Sequence, residues 1–173
     1  MKKTWLVVFM ACMLCACSTS SENDDTVRMG SSYYASHGDG DVALVSVAMK
    51  DDVIVGVTLD EISYLSSDEF KGLPNTESDK AFGKQTDPTK NLASKSQNDE
   101  EYSGMMKANG ATQGIKQNYQ ALIEFVKGKS LEDLRGIVTG KSDEEVTDAV
   151  TGCTLKSTKG YLEAIMEACK NVK

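Results

Sequence analysis

The chain is poor in several residue types that common chemistries need. Among its 173 residues there is one histidine, His37, one tryptophan, Trp5, and two prolines, and aromatic residues make up 6%. A lone imidazole tells against His-rich zinc sites and serine–histidine triads, each of which needs an imidazole set beside specific partners. Most common hydrolase chemistry is therefore disfavoured. Cationic charge is also short: 19 Lys and Arg stand against 26 Asp and Glu, a net charge of -7. Binding a phosphate backbone requires a basic patch or stripe, so no nucleic-acid role is expected. The one long apolar run, Trp5 to Met13, falls short of the ~20 residues that a membrane-spanning helix requires. What is there, 40% hydrophobic and 26% charged residues, suits one core. The chain is too short for two full-sized domains and long enough to fold without disulfides or structural metal.

Residues 1–16 read as an export signal: Lys2 and Lys3, the apolar run, then Leu14-Cys15-Ala16 ahead of Cys17. The ending resembles a bacterial lipobox, in which a small residue precedes a cysteine that is acylated on sulfur and becomes the new N-terminus. Ala16 and Cys17 take those places, and Phe9-Met10-Ala11-Cys12 is a poorer second candidate. A lipoprotein with Cys17 lipidated by palmitate-type chains is the expectation, and a simple cleaved signal the alternative. Acylation anchors the chain stably to the cell membrane on its extracytoplasmic face. Loss of residues 1–16, with two lysines and no acid, moves the net charge from -7 to -9. Of the five cysteines, Cys153 and Cys169 then remain as thiols. A helix between them, rising about 1.5 Å per residue, holds them too far apart to bridge, so both are expected free and mostly buried.

Residues 17–32, polar and without periodicity, are expected to form a flexible lipid-anchored tether. The domain proper is then 33–173. Two β-rich runs between Val42 and Leu59 flank Lys50-Asp51-Asp52 and predict a hairpin with one buried face, Val53, Val55, Val57 and Leu59 alternating with Ile54, Gly56, Thr58 and Asp60. Ser66 to Gly104 is polar, with Gly72, Pro74, Gly83 and Pro88 as punctuation, and reads as a functional surface or a partly disordered insertion. Helical spacing follows: Ile115, Tyr119, Leu122 and Val126 with a stop at Gly128, a capping box from Ser130 to Asp133, and a last helix with Tyr161, Ile165, Cys169 and Val172 on one face. The fold expected is α+β, a twisted antiparallel sheet with C-terminal helices packed on one face.

The segment most suggestive of chemistry is Asp148-Ala149-Val150-Thr151-Gly152-Cys153-Thr154. Its plain reading is a helix end, a glycine turn and a new N-cap. With the hairpin upstream, it resembles the FMN-binding domain of flavin-carrying subunits in respiratory ion-pumping complexes and of extracellular electron-transfer lipoproteins. In that family a flavin transferase recognises Asp-x-x-Ser/Thr-Gly-Ala-Ser/Thr and esterifies FMN, through its phosphate, to the last hydroxyl. Asp148, Thr151, Gly152 and Thr154 match, and Cys153 departs from the usual alanine. The resemblance runs from about Tyr33 to Lys173. A partial second copy, Asn109-Gly110-Ala111-Thr112, lacks the aspartate, with Met106 in its place.

The resemblance implies FMN held covalently at Thr154 on a membrane-anchored lipoprotein that relays electrons on the extracytoplasmic side. It makes the chain an electron carrier more than a catalyst. The implied partners are a flavin transferase for maturation, a membrane redox donor and an extracytoplasmic electron acceptor. Lys156 and Lys159 add positive charge near the ester, and the flavin itself supplies the redox chemistry. Tyr33, Tyr34, Tyr64, Phe82, Tyr102, Met105 and Met106 are available beside a flavin ring, although each is ordinarily a packing residue; His37 is a candidate ring partner or a plain loop histidine. Two alternatives stand: the same fold with FMN bound reversibly, and a non-redox surface lipoprotein acting as a binding or adhesion module.

Overall fold

The structure, a computed structural model, describes residues 26–76 and 86–173. It is an α+β fold. Strands β1 (Arg28–Tyr34), β2 (Asp41–Lys50), β3 (Val53–Ser66) and β4 (Lys90–Ser94) form an antiparallel sheet in the order β1-β2-β3-β4. Helices α1 (Asp99–Ala108), α2 (Ile115–Val126), α3 (Leu131–Val138), α4 (Asp143–Ala149) and α5 (Thr158–Lys170) follow. α5 lies on β1 and β2, and α2 on β3.

The expected hairpin is β2–β3. Its two-residue turn, Asp51-Asp52, has both φ values positive, which the primed hairpin turns require and which aspartate tolerates. β2 alternates without interruption, with Ala43, Val45, Val47 and Met49 buried. β3 does not. Ala48 pairs with Gly56 and Met49 with Ile54, so Val55 is an extra residue and forms a bulge. The expected face of Val53, Val55, Val57 and Leu59 is therefore corrected: Ile54 is fully buried with Leu59, while Val55 is exposed. Beyond Leu59 the same inward parity carries Glu61 and Ser63 into the interior.

Two expected boundaries also change. Residues 28–32 belong to strand β1 and not to a tether. Their inward residues are Gly30 and Ser32, too small to register as an apolar stripe, yet small enough to let α5 lie close. The stretch from 66 to 104 contains β4 and most of α1. Its periodicity is weak because β4 is five residues long and α1 buries only Ser103.

The helical readings hold except at the end of the last helix, where α5 stops at Lys170 and Val172 packs against the core from beyond it. α2 ends at Val126, and the chain turns back at Gly128 (φ 77°), whose N–H donates to Ile54 O (2.8 Å). Ser130 and Asp133 form the capping box of α3, and Ser142 with Glu145 builds another for α4. α5 buries Tyr161, Leu162, Ile165 and Cys169. Gly160 is needed where α5 passes the β1–β2 loop, because a Cβ there would stand 1.9 Å from Ser36 O. Cys153 and Cys169 are free and buried; burial pushes the Cys169 thiol up to about 11.

Candidate functional site

The flavin-type motif runs from the last turn of α4, which holds Asp148, into the loop before α5, which holds Thr151, Gly152, Cys153 and Thr154. Val150 and Cys153 point into the core, whereas Asp148, Thr151, Gly152 and Thr154 are exposed. The turn is made by Gly152 at φ 83°, a left-handed conformation that costs glycine nothing and most side chains about 1–2 kcal/mol. Inside, the Cys153 thiol sits 3.2 Å from Thr158 Oγ1, which itself donates to Leu155 O (2.5 Å). Thr147 Oγ1 lies 3.0 Å from the same Leu155 carbonyl and ties α4 to the loop. The motif's one departure, cysteine for alanine, is thus on the inward side, away from any protein that reads the exposed hydroxyls.

Thr154 is held by a single buried residue of α2. Asn118 Oδ1 accepts from Thr154 N–H (2.6 Å) and from Thr154 Oγ1 (3.2 Å). Its amide NH2 donates to Gly114 O (2.8 Å) and Gln113 O (3.5 Å). Gln113 and Gly114 close the loop that starts with Asn109-Gly110-Ala111-Thr112, so Asn118 bridges the two Gly-x-Thr loops. Gly110 has φ 91°, close to its counterpart Gly152, and Thr112 is exposed like Thr154. The loops stand 42 positions apart, the same separation as Tyr119 and Tyr161, whose hydroxyls meet at 3.3 Å. The same spacing separates Gly110 from Gly152, Thr112 from Thr154 and Ile123 from Ile165 in the sequence.

Next to those tyrosines is a buried polar cluster that local patterns do not announce. Glu61 is fully buried. Its Oε1 accepts from Ser36 Oγ (2.5 Å) and faces His37 Nδ1 (3.2 Å). Its Oε2 accepts from Lys95 Nζ (2.5 Å) and Tyr161 OH (2.6 Å). Lys95 Nζ also stands 3.4 Å from Asp41 Oδ1 and 3.2 Å from His37 Nε2, with the Tyr102 ring beneath it at 5.1 Å. Asp41 accepts from Ser63 Oγ. His37, Asp41 and Glu61 converge as metal ligands do, but the ammonium of Lys95 stands among them as their cation.

Burial works against the charge of Lys95, and the adjacent Glu61 carboxylate outweighs it, so the ammonium titrates above the ordinary lysine value. For Asp41, burial raises the pKa, while the Ser63 hydrogen bond and the Lys95 and His37 charges more than reverse that. Burial first, then the neighbouring Tyr119 hydroxyl and the Glu61 carboxylate, push the Tyr161 hydroxyl far up, so it stays a donor to Glu61. Among the described residues no buried side-chain N or O lacks a partner. The buried polar groups of the cluster are satisfied by one another and by their neighbours.

His37 is the most exposed member. With Ser36, Lys156, Lys159 and Glu163 it lines a shallow cleft of about 420 Å³ between the β1–β2 loop and α5. Lys159 Nζ donates to Lys141 O (2.9 Å). The candidate ring contacts are scattered: Tyr33 and Tyr64 are on the uncovered sheet face, Tyr34 donates to Glu163 (3.0 Å), and Tyr102, Met105 and Met106 belong to α1. Phe82 and Cys17 lie outside the described residues. Among the described residues no helix is long and apolar enough to cross a membrane. Compared with known proteins, the chain matches no family model, no curated protein and no solved structure.

Proposed function

We propose that this chain is an exported lipoprotein, anchored through Cys17 on the extracytoplasmic face, that carries FMN esterified to Thr154 and relays electrons between a membrane donor and an extracytoplasmic acceptor. One observation carries the reading: the motif divides into an exposed face of Asp148, Thr151, Gly152 and Thr154 and a buried Cys153. A transferase reaches its acceptor hydroxyl on such a face, and the single mismatch to the family pattern is hidden from it. Gly152 gives the turn that lifts Thr154 outward, and Asn118 fixes the hydroxyl. FMN supplies one- and two-electron chemistry when bound; the chain holds it, orients it and keeps it from diffusing away.

The test is the intact mass of the full chain produced with and without a flavin transferase, for the wild type, Thr154→Val and Thr112→Val. The expected result is one FMN ester in the wild type and Thr112→Val and none in Thr154→Val. Yellow colour lost on denaturation, with no mass increment, would support reversible binding instead. A second reading, a non-redox surface module, draws on the exposed Tyr33, Val42 and Tyr64 of the uncovered sheet face, and the absence of any flavin from the wild type would favour it.

A further inference from the structure

We infer that Asn118 is the positioning residue for flavin attachment at Thr154, acting from the floor of a single acceptor face formed by both Gly-x-Thr loops. The inference rests on the flavin reading above and adds to it a residue outside the motif, 36 positions upstream of the acceptor.

The orientation of the Asn118 amide is locked. Its oxygen meets a backbone N–H, that of Thr154, which only donates; its nitrogen meets the carbonyls of Gln113 and Gly114, which only accept. A flipped amide would set donor against donor and acceptor against acceptors at once. Asn118 Oδ1 is therefore an acceptor toward Thr154, and Thr154 Oγ1 directs its proton inward to it. The lone pairs of Oγ1 are left facing outward, where Thr154 is exposed. Asn118 itself is fully buried, so it presents the nucleophile from behind without meeting the incoming group.

Attachment from a flavin dinucleotide balances as a phosphoryl transfer. Thr154 Oγ1 attacks the phosphorus on the flavin side of the pyrophosphate, the bond from that phosphorus to the bridging oxygen breaks, and AMP leaves. As the new P–O bond forms, the proton on Oγ1 becomes acidic, swings out of the Asn118 hydrogen bond by rotation about the Cβ–Oγ1 bond and passes to a base of the transferase on the exposed side, since the buried amide oxygen orients a proton without keeping it. No electron is gained or lost. A hydroxyl held in one rotamer enters such a reaction already aligned, and misalignment of about 1 Å costs on the order of 100-fold in rate. The Thr112 loop enters because Asn118 is anchored on it: Gly114 packs where a Cβ would lie 2.4 Å from Ser103 Oγ, and Ile115 N–H donates to that same oxygen (2.9 Å).

The experiment follows flavin transfer onto the purified full-length chain by intact mass, with purified transferase and FAD. Maximal rate and half-saturating transferase concentration are measured for the wild type, Asn118→Leu and Asn118→Asp, with thermal melts confirming folding. Asn118→Leu is expected to lower the maximal rate by about 10- to 100-fold with half-saturation little changed, because contact with the transferase is intact and alignment is lost. Asn118→Asp keeps an acceptor opposite Thr154, but its second oxygen faces the Gln113 and Gly114 carbonyls, so only the protonated acid reproduces both sets of bonds. Its rate is therefore expected to fall as the new carboxyl ionises with rising pH, a limb that the wild type lacks. A folded Asn118→Leu with the wild-type maximal rate overturns the inference. So does an Asn118→Asp pH profile parallel to the wild type, which keeps the test decisive if the leucine variant fails to fold. No increment on the wild type itself would instead remove the flavin reading, and the role of Asn118 with it.

Discussion

Lys95 and Glu61 form a buried ion pair, Nζ to Oε2 2.5 Å, with side chains 3% and 0% exposed. Taking two charges out of water costs several kcal/mol each, and only close geometry with further hydrogen bonds offsets it. Here Ser36 and Tyr161 supply those bonds to Glu61. We predict that Lys95→Met destabilises the fold by about 3–5 kcal/mol, because it strands a buried carboxylate. Adding Glu61→Gln should recover part of the loss, and urea denaturation of the four-member cycle measures it. Strictly additive losses would show that the pair is not coupled.

Stability should decline at both ends of the pH scale. Asp41 titrates below its ordinary value in the folded state, so its contribution is complete above the unfolded pKa near 4 and is lost as pH falls through the folded value. Lys95 is raised, so its contribution is complete below about 10 and is lost as pH climbs through its folded value. A thermal-melt series should show Asp41→Asn with a shallower acid limb than the wild type. An unchanged limb would assign acid sensitivity to other carboxylates.

Cys153→Ala restores the usual residue of the motif and removes one sulfur that touches Thr158 Oγ1 inside the loop. The expected cost is small, about 1 kcal/mol, and the amount of flavin attached should not change. A large gain in attachment would show that the cysteine limits recognition. In the native protein both thiols should resist a maleimide reagent and react only after denaturation, since both are buried.

Gly160→Ala drives a methyl group against the Ser36 carbonyl, 1.9 Å from the Cβ position. We predict a loss of about 1–3 kcal/mol, together with shifted NMR signals for His37, whose loop must move away from α5. A silent substitution would mean that the loop has slack to yield.

Much of the framework was legible in the residues. The β2–β3 hairpin, α2, α3 and α5 each bury a regular stripe or open on a capping box, and those signals are local. The Val55 bulge was not legible, because one inserted residue reverses the parity of everything before it while leaving the composition unchanged. β1 was missed because its core face is Gly30 and Ser32, and β4 and α1 because they are short or polar. The loop at 151–154 stands out in the sequence by its motif. Asn118 does not, since a helical asparagine between Gln117 and Tyr119 carries no sign that it reaches a loop 36 positions away. Glu61 follows Leu59 on the inward parity of β3, beyond the bulge, but no local signal marks a buried carboxylate, and its partner Lys95 lies in the polar stretch from 66 to 104.

The cluster around Glu61 also sets when the molecule becomes whole. Its partners come from Ser36, Lys95 and Tyr161, the last of them 100 residues further along the chain. While the chain is extended from its first residue onward, the sheet can zip as neighbouring hairpins, each strand beside the one just made. Yet the carboxylate in its centre keeps its water until the final helix arrives. Desolvation of that charge is thus deferred to the last step, and a chain interrupted before α5 has a sheet with a hydrated acid where its core should be. Docking of α5 and burial of Glu61 therefore coincide, and one side chain makes the core of the sheet depend on a helix about 100 residues away.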